Sequence, residues 1–263
     1  MMIRQWLSWT LTLVVAQAAA QSVVVDTISA MQPWPPHELF TFPHFSTLGQ
    51  PQLAERINRD ICIDFLDVDP DTAKGNLFQM EWGDPDHGPS QRLYSLTWSS
   101  SQPLPKVLSI ALAGEGCGAY CEGFTTHYAY DLRDGDRLRF DSLFTAIGLL
   151  AVEDTLRKHW QAKVEAQIQL IQDSLRVTTL SVDEKEWYQE ASDLYSQCLL
   201  ERADERPYVS DFEPLDRKLR VYIARCSAHA NRNADDLDEV AMDLPYEWLA
   251  PYLRPDVAAL FGK

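Results

Sequence analysis

Apolar positions change their spacing twice along the chain, and those changes divide it. Between Pro51 and Leu66, Leu53, Ile57 and Ile61 recur every four residues, the mark of one face of a short amphipathic helix. The step then falls to two. Tyr94, Leu96 and Trp98 alternate with Ser95 and Thr97, which predicts a strand over Arg92–Ser99. After a turn at Ser100–Pro105, Leu108, Ile110 and Leu112 mark a second strand, Val107–Ala113. A glycine-rich connection, Gly114–Gly123, leads to a third, Phe124–Leu132, with Phe124, Thr126, Tyr128 and Tyr130 on one face. Asp134-Gly135 is a hairpin signal before a short strand at Arg137–Phe140. Next, Leu149, Val152, Leu156, Trp160, Val164, Ile168, Ile171 and Leu175 step by three and four, predicting a long amphipathic helix with room for one break. Ser181 and Glu184 form a capping box. The helix behind it carries Trp187, Ala191, Leu194, Tyr195 and Cys198 on one face. Asp211–Phe212, Leu219–Ala224 and Val240–Leu244 are strand-like, and Pro245 starts a closing helix, Tyr246–Leu253.

Strands gathered before and after a helical block predict an α+β fold: an antiparallel β-sheet meander packed with long amphipathic helices. Residues 21–50 hold Pro33, Pro35, Pro36 and Pro43 and read as an extended lead-in. Residues 51–263 form the α+β domain, with 51–145 and 146–263 as two candidate lobes.

Residues 1–20 read as a secretory signal peptide. Arg4 is the single charge, Trp6–Val15 is mostly apolar, and Ala16-Gln17-Ala18 and Ala18-Ala19-Ala20 both fit the small-residue cleavage pattern. The mature chain is then expected to begin at Ala19 or Gln21. The competing reading is an uncleaved anchor over Trp6–Val25, a length that suits a span but is interrupted by Ser8, Gln17, Gln21 and Ser22. No later stretch is apolar enough to span, so the expected location is periplasmic or secreted. Acids outnumber bases by 39 to 23, a net charge of -16. That argues against nucleic acid or an anionic membrane surface as the main partner.

Export gives the five cysteines a context, because cysteines pair in oxidising compartments. Cys117 and Cys121 lie in Gly116-Cys117-Gly118-Ala119-Tyr120-Cys121, where glycines allow a tight loop and a local bridge. Cys198 and Cys226 would then join a helix to a strand, leaving Cys62 as a buried thiol. Two alternatives stand beside this scheme. One pairs Cys62 with Cys117 or Cys121. The other is a zinc site at Cys117, Cys121 and His127, one ligand short of the usual four.

Candidate chemistry is sparse. The chain has no G-x-S-x-G, H-E-x-x-H or P-loop motif, and no catalytic residue, metal ligand or cofactor is assigned. Asp67, Asp69 and Asp71 alternate like a calcium loop, but its glycine position holds Thr72 and its glutamate position Phe78. His127 faces away from Tyr128 and has Glu115 or Glu122 as acid–base partners, or is simply hydrogen-bonded at a sheet edge. His229 precedes Asn231, Asp235, Asp236, Asp238 and Glu239, a cation site or a solvated polar loop. The stapled segment 114–123 is the most informative surface, with Glu115, Tyr120, Glu122 and His127 as candidate binding residues. Pre-organised loops with an aromatic anchor suit protein recognition. An acidic surface steers basic partners.

Three stretches carry a resemblance: Gly114 to Glu122 followed by Phe124-Thr125-Thr126-His127-Tyr128, Arg225 to Arg232, and Leu244 to Leu253. Together they resemble a family of exported bacterial proteins of unknown function. That family is related to the extracellular domain of RsiV-type anti-sigma factors and, more distantly, to the accessory domain of PdaC-type peptidoglycan deacetylases. RsiV-type domains bind lysozyme, so the resemblance implies a protein-binding or wall-associated module. The leading expectation is an exported, non-enzymatic binding module of the bacterial envelope, recognising a basic wall hydrolase or another envelope protein. The alternatives are an enzyme or accessory subunit acting on cell-wall glycan, and an immunity or inhibitor protein against a secreted toxin.

Overall fold

The computed structural model describes residues 23–35, 37–47, 50–73, 75–84, 88–89, 93–117 and 121–262. The expected signal peptide and Tyr120 lie outside them. The order is β1 (Val23–Met31), β2 (Leu39–Thr47), α1 (Pro51–Leu66), α2 (Gln79–Trp82), β3 (Gly83–Asp84), β4 (Gly88–Pro89), β5 (Leu93–Leu104), β6 (Val107–Cys117) and β7 (Cys121–Asp131). There follow α3 (Ala146–Leu175), α4 (Val182–Arg202), β8 (Val209–Leu215), β9 (Lys218–Ile223), β10 (Val240–Pro245), α5 (Tyr246–Leu249) and α6 (Pro255–Phe261). β5-β6-β7 and β8-β9-β10 are antiparallel three-stranded sheets, β1-β2 is a hairpin, and β3-β4 is a two-residue ladder. The fold is α+β, as the change of period predicts. No helix among the described residues is long and apolar enough to cross a membrane.

Sheet β5-β6-β7 separates two cores, because alternate residues of a strand point to opposite faces. Leu108, Ile110, Leu112, Tyr128 and Tyr130 turn toward α1 and β2, joining Ile57, Ile61, Leu66, Phe40 and Phe42. Val107 and Ala129 turn the other way, into a core with Val152, Leu156 and Trp160 of α3, Tyr195 of α4 and Leu219, Val221 and Ile223 of β9. The proline-bearing segment expected as a lead-in thus pairs as a hairpin, and its phenylalanines help build the first core.

The α1 contact with the sheet is polar at its edge. Tyr128 Oη donates to Asp64 (2.9 Å) and Tyr130 Oη to Asp60 (2.7 Å). Arg137 pairs with Asp64 at 2.7 Å and sits 4.4 Å from the Tyr128 ring centroid. Burial first, then the adjacent carboxylates, pushes both phenols above their ordinary range.

Several boundaries differ from the sequence reading. β5 continues to Leu104, so the turn tightens to Pro105-Lys106. The connection after Ala113 is drawn into the ladder, with Gly114 opposite Phe124, Gly116 opposite Glu122 and Cys117 opposite Cys121. A Cβ at Gly114 would stand 2.8 Å from the Ser95 carbonyl oxygen, so the close strand approach needs glycine. The strand expected at Arg137–Phe140 reduces to one bridge, Tyr130 to Arg137, and a 3-10 turn at Phe140–Leu143. Arg137 is held there by Asp64 rather than by a ladder. α3 runs unbroken from the Thr145 cap, whose Oγ1 accepts the Gly148 amide at 3.0 Å. The Ser181–Glu184 capping box forms in both directions. The closing helix ends at Leu249, and α6 follows behind Pro255.

Candidate functional site

The odd-numbered face of β7 meets the second sheet without a ladder. The His127 amide donates instead to Asp211 Oδ2 at 2.6 Å, and the same oxygen lies 2.9 Å from His127 Nδ1. The imidazole stacks on Tyr222 of β9 at 5.0 Å between centroids, with its Nε2 4.0 Å from Glu213. Burial, then Glu213, pushes the Tyr222 phenol up. Asp211 and Glu213 stand on the face of β8 opposite buried Phe212 and Pro214, so strand alternation places both acids at the joint.

Beyond this joint the β6–β7 hairpin overhangs the second sheet, and segment 224–239 faces it across an open cleft of about 1250 Å³. Tyr222 gives the cleft apolar surface, Phe124 borders it while its ring packs 6.2 Å from that of Phe65 of α1, and Glu122, Arg225, Asp238 and Glu239 give it charge. Arg225 forms a two-pronged pair with Glu122, one arm at 3.3 Å, and Arg232 Nε donates to Glu122 at 2.9 Å. Arg232 also reaches Asp238 at 2.5 Å. Hydrogen bonding to Glu122 holds the Arg225 guanidinium above its ordinary value. Glu115 and Glu239 are exposed, and neither has a polar partner among the described residues.

Behind the wall, Asp235 is only 3% exposed. Its carboxylate accepts from Tyr195 Oη (2.8 Å), the Ser227 amide (2.8 Å) and the Asp238 amide (3.2 Å). Tyr195 Oη in turn accepts the Leu237 amide at 2.9 Å. A buried side chain of α4 therefore sets the course of the cleft-lining segment.

Of the residues singled out in the sequence, Glu122 and His127 line the cleft and Glu115 sits on its hairpin. His127 is paired with Asp211, not with Glu115 or Glu122. The structure joins Cys117 to Cys121 and Cys198 to Cys226, and leaves Cys62 buried. Glu115, Cys117 and Cys121 place ligand-type atoms within 4.8 Å of one another. Sulfurs bonded to each other are not thiolates, so the zinc arrangement is not the one found. In the candidate cation loop Asp235 and Asp238 serve protein donors; the His229 and Asn231 side chains lie outside the described residues. The acidic loop after α1 is tied to Arg59, 2.8 Å from Asp69 and 3.1 Å from Asp71. The sequence reading missed Asp211, Glu213, Tyr222 and Arg225. Outward alternation on β8 and β9 was the available signal for Asp211, Glu213 and Tyr222; Arg225 lies beyond β9 and had none.

No family model matches the chain, and no curated protein matches it. Among solved structures it is similar to a DUF3298 family member from Bacteroides fragilis NCTC 9343, with 14% identity over 92% of this chain and 98% of that one, at a TM-score of 0.56. A DUF3298 family protein from Pseudomonas aeruginosa PAO1 gives 12% identity over 90% and 96% of the two chains, at a TM-score of 0.45. The first likeness is one of fold.

Proposed function

We propose that this chain is an exported, non-enzymatic binding module whose cleft receives a basic surface of another protein, with a lysozyme-like wall hydrolase as the class of partner. The observation that carries this reading is Glu239, an exposed carboxylate on the cleft wall with no polar partner among the described residues, beside Tyr222, with a second such carboxylate, Glu115, exposed on the hairpin that bounds the cleft. Free carboxylates attract cations from solution, and flanking aromatic surface supplies the contact area that gives a complex its lifetime. The net charge of -16 adds long-range steering toward cationic proteins. The resemblance to RsiV-type domains points to the same partner class, and a basic toxin would make the module an immunity protein.

The test is binding of immobilised mature protein to lysozyme, with an acidic protein of similar size as control. Glu239→Lys should slow association about tenfold and flatten its salt dependence, as rim charges do. Equal association rates for the two forms, or no binding of lysozyme, would refute the proposal.

A second reading has one observation in its favour: His127 and two carboxylates stand together at the cleft wall, as a glycan-cleaving enzyme would require. The same geometry also joins two sheet edges. Asp211 takes both the ring and the backbone amide of His127, and that side chain is only 10% exposed. Release of soluble fragments from peptidoglycan, abolished by His127→Gln, would establish the enzymatic reading over the binding one.

A further inference from the structure

Arg202, the last residue of α4, carries a charge that no carboxylate in the described fold pairs with. Its Nη1 donates to the carbonyl oxygens of Ala224 (3.1 Å) and Arg225 (3.0 Å), and its guanidinium lies 5.0 Å from the Trp160 ring centroid. Burial pulls this guanidinium below its ordinary value, opposed only by nearby Glu205. Its remaining polar neighbour is sulfur: Nη1 stands 3.9 Å from Sγ of Cys198, half of the bridge to Cys226. We propose that Cys198–Cys226 is a thiol–disulfide exchange site, at which an external thiolate bonds to Cys226 and Arg202 receives the departing Cys198 thiolate.

Two features set that direction. Cys198 is 5% exposed whereas Cys226 is partly exposed, so an incoming thiolate reaches Cys226 first. A thiolate beside an arginine is stabilised, and a better-stabilised thiolate leaves faster. In the first step the attacking sulfur forms a new S–S bond to Cys226 as the Cys226–Cys198 bond breaks. The electron pair departs on Cys198 Sγ. In the second step the other sulfur of a dithiol reductant attacks its own partner sulfur in the mixed disulfide and frees Cys226 as a thiol. The dithiol is oxidised to a disulfide, two electrons pass to the cysteine pair, and protons not taken up by Cys198 and Cys226 go to water. Arg225 and Ser227, on either side of Cys226, both line the cleft. Opening the bridge removes the covalent tie between α4 and one cleft wall and leaves hydrogen bonds such as those of Tyr195 and Arg202 there, so the site makes the cleft responsive to the thiol poise of the surroundings.

The test equilibrates the full mature chain with graded ratios of reduced and oxidised dithiothreitol. Acid quenching, mass-tagging of free thiols and peptide mapping then separate Cys198–Cys226 from Cys117–Cys121. Wild type should reach half-reduction at a ratio at least tenfold less reducing than Arg202→Gln does, about 30 mV for a two-electron couple. Arg202→Lys, which keeps the charge, should lie nearer wild type. A glutamine variant reduced as easily as wild type would overturn the proposal. A second measurement does not depend on any variant folding: brief exposure of wild type to glutathione should place the adduct on Cys226. An adduct on Cys198 would overturn the assigned direction of attack. Selective reduction should also speed amide hydrogen exchange over residues 224–239, and unchanged exchange would refute the link to the cleft.

Discussion

Replacing Asp235 by alanine tests whether one buried carboxylate holds the cleft wall to the core. The carboxylate satisfies three donors, two of which belong to buried residues: Tyr195 Oη and the Ser227 amide. A buried donor left without a partner costs about 1–3 kcal/mol. Two of them, plus the weaker loss at Asp238, give an expected destabilisation of about 4 kcal/mol. Asp235→Asn keeps one carbonyl acceptor and turns an amide donor toward an existing donor, for an expected loss of about 2 kcal/mol. Tyr195→Phe removes one donor to Asp235 and also strips the Leu237 amide of its acceptor, with an expected loss of about 1–2 kcal/mol. Because the two side chains share a bond, their effects should not add, and the double variant should lose less than the two single losses together. Urea titration followed by tryptophan fluorescence gives the midpoints. A loss below about 1 kcal/mol for Asp235→Ala, or strict additivity with Tyr195→Phe, would show that the network does not carry the load assigned to it.

At Gly148 an added Cβ would stand 2.2 Å from the Tyr252 carbonyl oxygen and 2.8 Å from its carbonyl carbon. Gly148→Ala should therefore lower the thermal midpoint despite better helix propensity, for a net loss of about 1–2 kcal/mol, and an unchanged midpoint would refute the close contact. Asp243 is held down to about 2 by its bond to Arg220 and then by Lys218. A depressed carboxylate contributes its full stabilisation above its ordinary value of 3.8 and loses it as pH falls toward about 2. Its side chain is 37% exposed, so the effect is below about 1 kcal/mol, and Asp243→Asn should flatten that acid limb of the stability curve. Burial raises the Cys62 thiol to about 11. Native protein at pH 8 should then resist iodoacetamide at Cys62 until urea unfolds it, and rapid labelling of the folded chain would contradict the buried placement.

Where local pattern and tertiary demand agreed, the sequence was readable. Leu108, Ile110 and Leu112 recur every second residue because strand geometry turns them all toward the α1 core, and Ser181 with Glu184 caps α4 through a contact only three residues long. Misreadings fall where a distant partner decides the local state. Arg137 looks like the start of a strand, but Asp64 of α1 holds it. Gly114, Gly116 and Gly123 look like parts of a loop, yet the Cys117–Cys121 bridge and the approach of Phe124 extend the ladder through them. The proline-rich start reads as extended and is so; what its sequence does not show is the pairing of its two strands, with Pro43 inside a two-stranded hairpin where edge positions tolerate it. The candidate site was half legible for the same reason. Glu122 and His127 share one short segment, whereas Tyr222 and Arg225 reach the cleft, and Asp211 reaches His127, only through the pairing of β8 with β9 and the packing of that sheet against β7.

The pairing inside the cleft also limits what the acidic composition can do. Glu122 is matched by Arg225 and Arg232, Asp238 by Arg232, and Asp211 by His127. These pairs shape the wall, and a partner's lysine would have to break one of them to use its carboxylate. Removing one member of a partly buried pair strands the other, so such exchange is unfavourable. Glu239 in the cleft and Glu115 on its hairpin have no such pair among the described residues and can meet a new cation without that loss. Both are exposed, where an ion pair contributes about 0–1 kcal/mol. If the cleft receives a basic protein as proposed, charge cannot hold that partner, although it can guide it in. On the proposed binding reading, a durable complex has to draw on apolar surface such as that of Tyr222. Selectivity among basic proteins then follows from which of them presents an apolar or aromatic group beside its positive charge.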